Sequence, residues 1–201
     1  MANDNPAPPP RSPRSWSQLS PRETIRRRYF PDVTLVNHEG KRVRLYEDLV
    51  ANKCVMINFM YAHCEGICSP VTDNLRRAQQ LLKDRVGRDI FMYSFTLKPD
   101  EDSPAVLRDY VKERRLGPGW TFLTGEPDDL ELIRRRLGFT DPDPTRDADK
   151  TNHTGMVRYG NEGLMLWAAF PGMQTPEAIA KSMLWVAWPR KGEPPRYTAT
   201  R

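Results

Sequence analysis

Long hydrophobic runs are missing from this chain, and cysteine and histidine are scarce, with three of each in 201 residues. The longest apolar stretches, Cys54 to Met60 and Leu164 to Phe170, fall far short of the roughly 20 residues that a transmembrane helix needs. The first residues are polar and proline-rich, without the apolar core of a secretory leader. Arg26-Arg27-Arg28-Tyr29-Phe30 has the look of a twin-arginine signal, but no apolar segment follows it, which excludes that reading. The protein is therefore cytosolic, or an export or anchoring segment lies outside this chain. Three cysteines leave the redox compartment open.

Charge points to no special partner. The formal net charge is +5, and hydrophobic residues make up 38%. Arginine is scattered, with short clusters at Arg26-Arg27-Arg28 and Arg134-Arg135-Arg136. Neither cluster is interleaved with aromatics, so solvated faces are expected and nucleic acid is not.

The length suits one domain with a substantial core. Residues 1–21, with Pro6, Pro8, Pro9, Pro10 and Pro13, read as a linker, and residues 190–201 as a tail. A globular unit is expected over 22–189. Within it, Val33 to Val36 and Arg42 to Leu45 predict a hairpin, with Tyr46 to Val50 as a connector. Cys54 to Met60 predicts a strand buried on both faces. Helical spacing over Val71 to Leu82 places Leu75, Ala78, Leu81 and Leu82 on one side. Ile90 to Leu97 predicts a strand, and Ser103-Pro104 opens a helix with Val106, Leu107, Tyr110 and Val111 inward. Phe122-Leu123 is a short strand. A helix from Glu126-Pro127 turns Leu130, Ile133 and Leu137 inward and ends at Gly138. Asp141 to Thr151 is a polar loop. Met156 to Tyr159 and Leu164 to Phe170 form a second hairpin across Gly160-Asn161-Glu162-Gly163, and a last helix runs from Pro176 to Trp188. This alternation predicts an α/β sandwich around one sheet.

Cys64 and Cys68, in His63-Cys64-Glu65-Gly66-Ile67-Cys68, are the chemically informative pair. They lie where the buried strand hands over to a helix. If Cys64 stands in or just before the first helical turn, Cys68 follows one turn later, roughly 6 Å away, within the span a disulfide bridges. A helix start also favours thiolate. Two such sulfurs close a disulfide or clamp a soft ion, Cu(I) or Zn. A metal wants a third ligand. His63 and His153 both qualify by position, and spacing alone does not choose between them. His38, in a predicted turn, is expected to be exposed and polar.

From Phe30 to Trp188 the chain resembles the Sco/SenC family of copper proteins, which assemble the dinuclear copper centre of cytochrome c oxidase. The resemblance rests on the CxxxC of Cys64 and Cys68, on Ser94-Phe95-Thr96-Leu97-Lys98-Pro99-Asp100-Glu101-Asp102-Ser103-Pro104, on Trp120-Thr121-Phe122-Leu123-Thr124-Gly125, and on Asn152-His153-Thr154 ahead of a strand pair. It implies a thioredoxin-like fold, a central mixed sheet with flanking helices and an added N-terminal hairpin. It also implies one copper ion, Cu(I) or Cu(II), held by Cys64, Cys68 and His153. The implied partner is the copper-bearing subunit of the oxidase or another copper chaperone. The implied location is periplasmic or otherwise extracytoplasmic, behind an anchor absent from this chain. Glu65 and Ser69 stand where the family commonly has proline, and Lys98 where an acidic residue is usual.

The remaining candidates read as structural. Cys54 is expected to be a buried, inert thiol. Met56, Met60, Met156, Met165 and Met173 are expected in the core, and Trp120, Trp167 and Trp185 in the core or a groove. Asp73 and Asp149 are candidate hydrogen-bond acceptors behind a ligand. Two functions compete. One is a copper metallochaperone whose cysteine pair gates transfer. The other is a thiol–disulfide oxidoreductase with Cys64 attacking and Cys68 resolving. A peroxidase of related fold comes third.

Overall fold

The computed structural model describes residues 19–63, 66, 68–149 and 155–187. Its centre is a seven-stranded sheet in the order β2-β1-β5-β4-β3-β6-β7. In chain order these are β1 Thr34–Asn37, β2 Arg42–Arg44, β3 Cys54–Met60, β4 Ile90–Thr96, β5 Trp120–Thr124, β6 Met156–Asn161 and β7 Leu166–Pro171. The helices are α1 Pro21–Tyr29, α2 Cys68–Leu82, α3 Pro104–Glu113, α4 Pro127–Arg136, α5 Pro144–Ala148 and α6 Pro176–Val186.

β3 pairs in parallel with β4, and β4 with β5, through the crossover helices α2 and α3. β1 joins β5, and β6 joins β3, antiparallel. All seven residues of β3 are buried, because helices cover both faces of the sheet. Cys54, Met56 and Met60 pack with α2, α3 and α6 on one side. Val55, Ile57 and Phe59 pack with Phe30, Leu45, Leu130 and Ile133 on the other. The arrangement is the expected thioredoxin-like sandwich with its added N-terminal hairpin.

Several local expectations need correction. α1 was not anticipated. Ser20 caps it by accepting from the Glu23 N–H, and Pro21 occupies its first turn, a start signal that the surrounding prolines obscure. The short connector after the hairpin is a wide helical turn, Leu45–Val50, which also takes Leu45 out of the expected strand. The polar loop after Asp141 contains α5, capped by Asp143. The second hairpin turns at residues 162–165, so Gly160 and Asn161 belong to β6. A Cβ at Gly160 would lie 2.5 Å from the Trp167 ring, so this strand position requires glycine for a close aromatic approach.

Burial also departs in places. Leu75, Ala78 and Leu82 are buried as expected, but Leu81 is exposed. Met165, Met173 and Trp185 are exposed as well, whereas Met56, Met60 and Trp120 are core. The arginine clusters are not simply solvated. Arg26 and Arg27 pair with Glu23, and Arg134 is 4% exposed. His38 is partly buried, its Nδ1 accepting the Phe122 N–H at 3.2 Å. Packing of the hairpin turn against β5 overrides the exposed role that its position suggested.

Candidate metal centre

Cys64, Glu65 and His153 lie outside the described residues. The frame on either side of them is described. Cys68 is the first residue of α2 and is 2% exposed. The expected placement of Cys64 in or just before the first helical turn lies outside the described residues. Cys68 itself stands at the positive end of that helix. Pro70 falls in the first turn, where its missing N–H leaves nothing unpaired. The turn is tied to α3 by Arg114, which donates to Ser69 Oγ at 2.7 Å, and by Thr72 Oγ1 and Tyr110 Oη at 3.0 Å.

The antiparallel register of β3 and β6 decides what meets at this end of the sheet. Asn58 pairs with Val157, so the chain leaving β3 toward Cys64 and the chain entering β6 from His153 lie at the same edge. Gly172 draws that entry against α2. Its N–H donates to the Gly155 carbonyl at 2.8 Å, and Asn74 Nδ2 donates to the Gly172 carbonyl at 3.2 Å. A Cβ at Gly172 would meet Val71 at 2.7 Å. Gly155, two residues after His153, is thus held beside the first turn that Cys68 opens.

The other flank of the His153 segment is fixed by an ion-pair clamp. Arg134 donates to both Asp147 carboxylate oxygens, at 2.6 and 2.7 Å, to Glu131 at 2.8 Å and to the Phe139 carbonyl at 2.8 Å. Asp147 also accepts the Asp141 N–H at 2.9 Å. Residues 141–149 are thereby anchored ahead of His153. Arg134 sits in a run of three arginines, and nothing in that run marks it as the buried one.

Asp102 braces the cysteine loop from below. It is 1% exposed, accepts the Ala62 N–H at 3.1 Å and receives the Thr96 hydroxyl at 2.5 Å. Burial pushes its carboxyl above the ordinary aspartate value, against the pull of Thr96, Ala62 and the neighbouring His63. Asp102 ties the β4–α3 turn to the chain two residues ahead of Cys64. Its place in the Lys98-to-Pro104 stretch was legible, but its role was not. Lys98 lies 4.7 Å from the Tyr61 ring centre and pairs with Glu101 at 3.1 Å.

His63 is exposed beside Cys64. Asp73 reaches Arg114 at 3.9 Å, and Asp149 is exposed. Cys54 is fully buried at the far end of β3, its thiol pushed up to about 12 by burial. Among the described residues no group of three or more His, Cys, Asp or Glu side chains is placed to hold a metal.

A family model, SCO1/SenC, matches residues 22–187. The chain belongs to the SCO1/SenC family. A SCO1 protein homolog of Bacillus subtilis is 31% identical over 93 residues, 46% of this chain and 47% of that protein. The chain spans less than half the length of the curated relatives it matches. A copper-bound ScoI of Arabidopsis thaliana superposes with a TM-score of 0.60 at 20% identity, over 78% of this chain and 96% of that one. BsSco, described as carrying a disulfide switch and as a member of the Sco family of cytochrome c oxidase assembly proteins, superposes at 0.63 with 22% identity, over 78% and 91%. These likenesses establish the shared fold.

Proposed function

We propose that this chain is a copper metallochaperone of cytochrome c oxidase assembly, binding one Cu(I) or Cu(II) through Cys64, Cys68 and His153. The observation that carries the reading is the β3–β6 register, with Gly155 held against the first turn of α2. It brings the chain flanking His153 to the edge where β3 ends and α2 begins. Two thiolates and an imidazole form a soft donor set that suits Cu(I). The copper-bound relative lends the same support.

A three-donor site on a loop releases its ion by ligand exchange, as an incoming thiolate or imidazole from the acceptor adds before an old donor leaves. Loss of two electrons from the Cys64–Cys68 thiolate pair to an external oxidant forms a disulfide and removes both sulfur donors. The redox state of the pair would thus gate transfer. The acceptor is the copper-bearing oxidase subunit or another copper chaperone, met outside the cytoplasm with the 22–189 domain tethered to a membrane. Among the described residues no helix is long and apolar enough to cross a membrane.

The test is an anaerobic titration of reduced protein with Cu(I) and Cu(II), following thiolate-to-copper charge transfer. A one-to-one endpoint is expected, lost in Cys64→Ser or Cys68→Ser. His153→Ala is expected to weaken copper by about a hundredfold while leaving the dithiol–disulfide potential in place. Unchanged copper affinity in His153→Ala overturns the ligand set. The buried start of α2 at Cys68 also suits a resolving thiol, the oxidoreductase reading. Reduction of a disulfide substrate, with an added thiol reductant closing the cycle, by a variant that keeps both cysteines but no longer binds copper would favour it.

A further inference from the structure

On the opposite face of the sheet, α1 and the end of α4 roof a cavity of about 390 Å³, a size typical of small-molecule sites. Trp167 lies across Gly160 and reaches Phe30, ring centres 5.3 Å apart. Ile25, Tyr29, Phe30 and Leu137 complete the apolar lining, and the polar groups are Arg136 and Arg158. No Asp or Glu is among the described lining residues.

Arg158 is the anomaly. It projects from β6, opposite Ile57 and Ala169, half-buried, with its guanidinium carbon 6.0 Å from the Phe139 ring centre. Its Nη2 makes one long bond to the Gly138 carbonyl, 3.3 Å, and its Nε is buried with no hydrogen-bond partner. A buried donor left unpaired is costly, so such a group usually has a purpose. Arg136 is exposed at the rim, one of its nitrogens donating to the Arg27 carbonyl at 3.0 Å. A guanidinium edge matches a carboxylate in two parallel hydrogen bonds.

We propose that this cavity binds an amphipathic monocarboxylate of the medium-chain fatty-acid class. The alkyl body lies against Ile25, Phe30, Leu137 and Trp167. The carboxylate accepts from the two Nη nitrogens at the end of the Arg158 guanidinium, with Arg136 adding charge at the mouth. The site is on the far face of the sheet from α2 and is independent of the copper reading.

The probes are decanoate, decan-1-ol with the same body and no charge, and acetate with the head alone, each titrated calorimetrically into the full chain. Decanoate is expected to bind one per chain and to shift the Trp167 indole N–H resonance. Decanol should bind about tenfold or more weakly, and acetate not measurably. Arg158→Gln should bring decanoate down to the decanol level and leave decanol unchanged. If that variant does not fold, Arg136→Gln serves, with a smaller loss confined to decanoate. Equal affinity for decanoate and decanol, or no binding of either, overturns the proposal. Binding that appears only after residues 1–18 are removed overturns it too, by assigning the cavity to the chain's own N-terminal segment.

Discussion

The Asp102 carboxylate accepts the backbone N–H of Ala62 at 3.1 Å across 40 residues of sequence. One buried side chain thereby fastens the turn after β4 to the strand exit that carries Cys64. Replacing Asp102 with Ala strands the Ala62 N–H and the Thr96 hydroxyl in a closed environment. A loss of about 2 to 3 kcal/mol is expected, measured by urea unfolding. Asn retains an acceptor oxygen and should lose about half as much. Copper affinity should fall in Ala more than in Asn. Equal affinities in both variants and wild type would show that the loop needs no brace.

Asp147 holds the other approach to the site. Asp147→Ala leaves the nearly buried Arg134 guanidinium with Glu131 and a carbonyl as its remaining partners. Breaking a buried pair from one side costs about 3 to 5 kcal/mol, reduced here toward 2 because Glu131 remains. Residues 141–149 then lose their anchor, and copper binding should weaken by about tenfold as His153 becomes harder to order. Copper affinity equal to wild type in a folded Asp147→Ala would remove the clamp from the site.

Glu162 fastens α1 to the body of the domain. It accepts from Arg22 at 2.9 Å, Tyr46 at 2.8 Å and the Asn52 N–H at 2.7 Å while 5% exposed. Glu162→Ala should cost about 2 to 3 kcal/mol and free α1 for tryptic cleavage after Arg26, Arg27 or Arg28. Wild-type resistance to trypsin in the variant would show that α1 is held by its apolar face alone.

Cys54 should take no part in thiol chemistry. Its thiol is held up at about 12 against an ordinary 9.0, so alkylating agents should label it only after unfolding. In alkaline solution the unfolded chain ionises Cys54 above 9.0 while the folded chain keeps the proton up to about 12. Its contribution is fully present below the first value, and stability falls as pH rises between the two, by up to about 1.4 kcal/mol per pH unit. Cys54→Ala should show a shallower alkaline decline in urea unfolding series. An identical decline would assign the slope to other groups.

Sequence pattern determined the elements whose causes are local. β3 follows from an apolar run, α3 from Ser103-Pro104, α4 from Pro127 and its inward Leu130, Ile133 and Leu137, and the first hairpin from the Asn37 to Gly40 turn. The CxxxC and its place between strand and helix were equally legible, because neighbouring residues create that chemistry. Signals that compete within a short window were harder to read. α1 is hidden among prolines, α5 inside a polar loop, and the second hairpin turn slipped by two residues because Gly160 reads as a turn residue when it serves the Trp167 ring. Tertiary structure alone decided which far-separated groups meet. That the His153 flank comes to the edge of Cys68 depends on β6 pairing antiparallel with β3. That Asp102 supports Ala62, and Arg134 rather than Arg135 holds Asp147, depends on which atoms burial leaves without water and so compels to find one another.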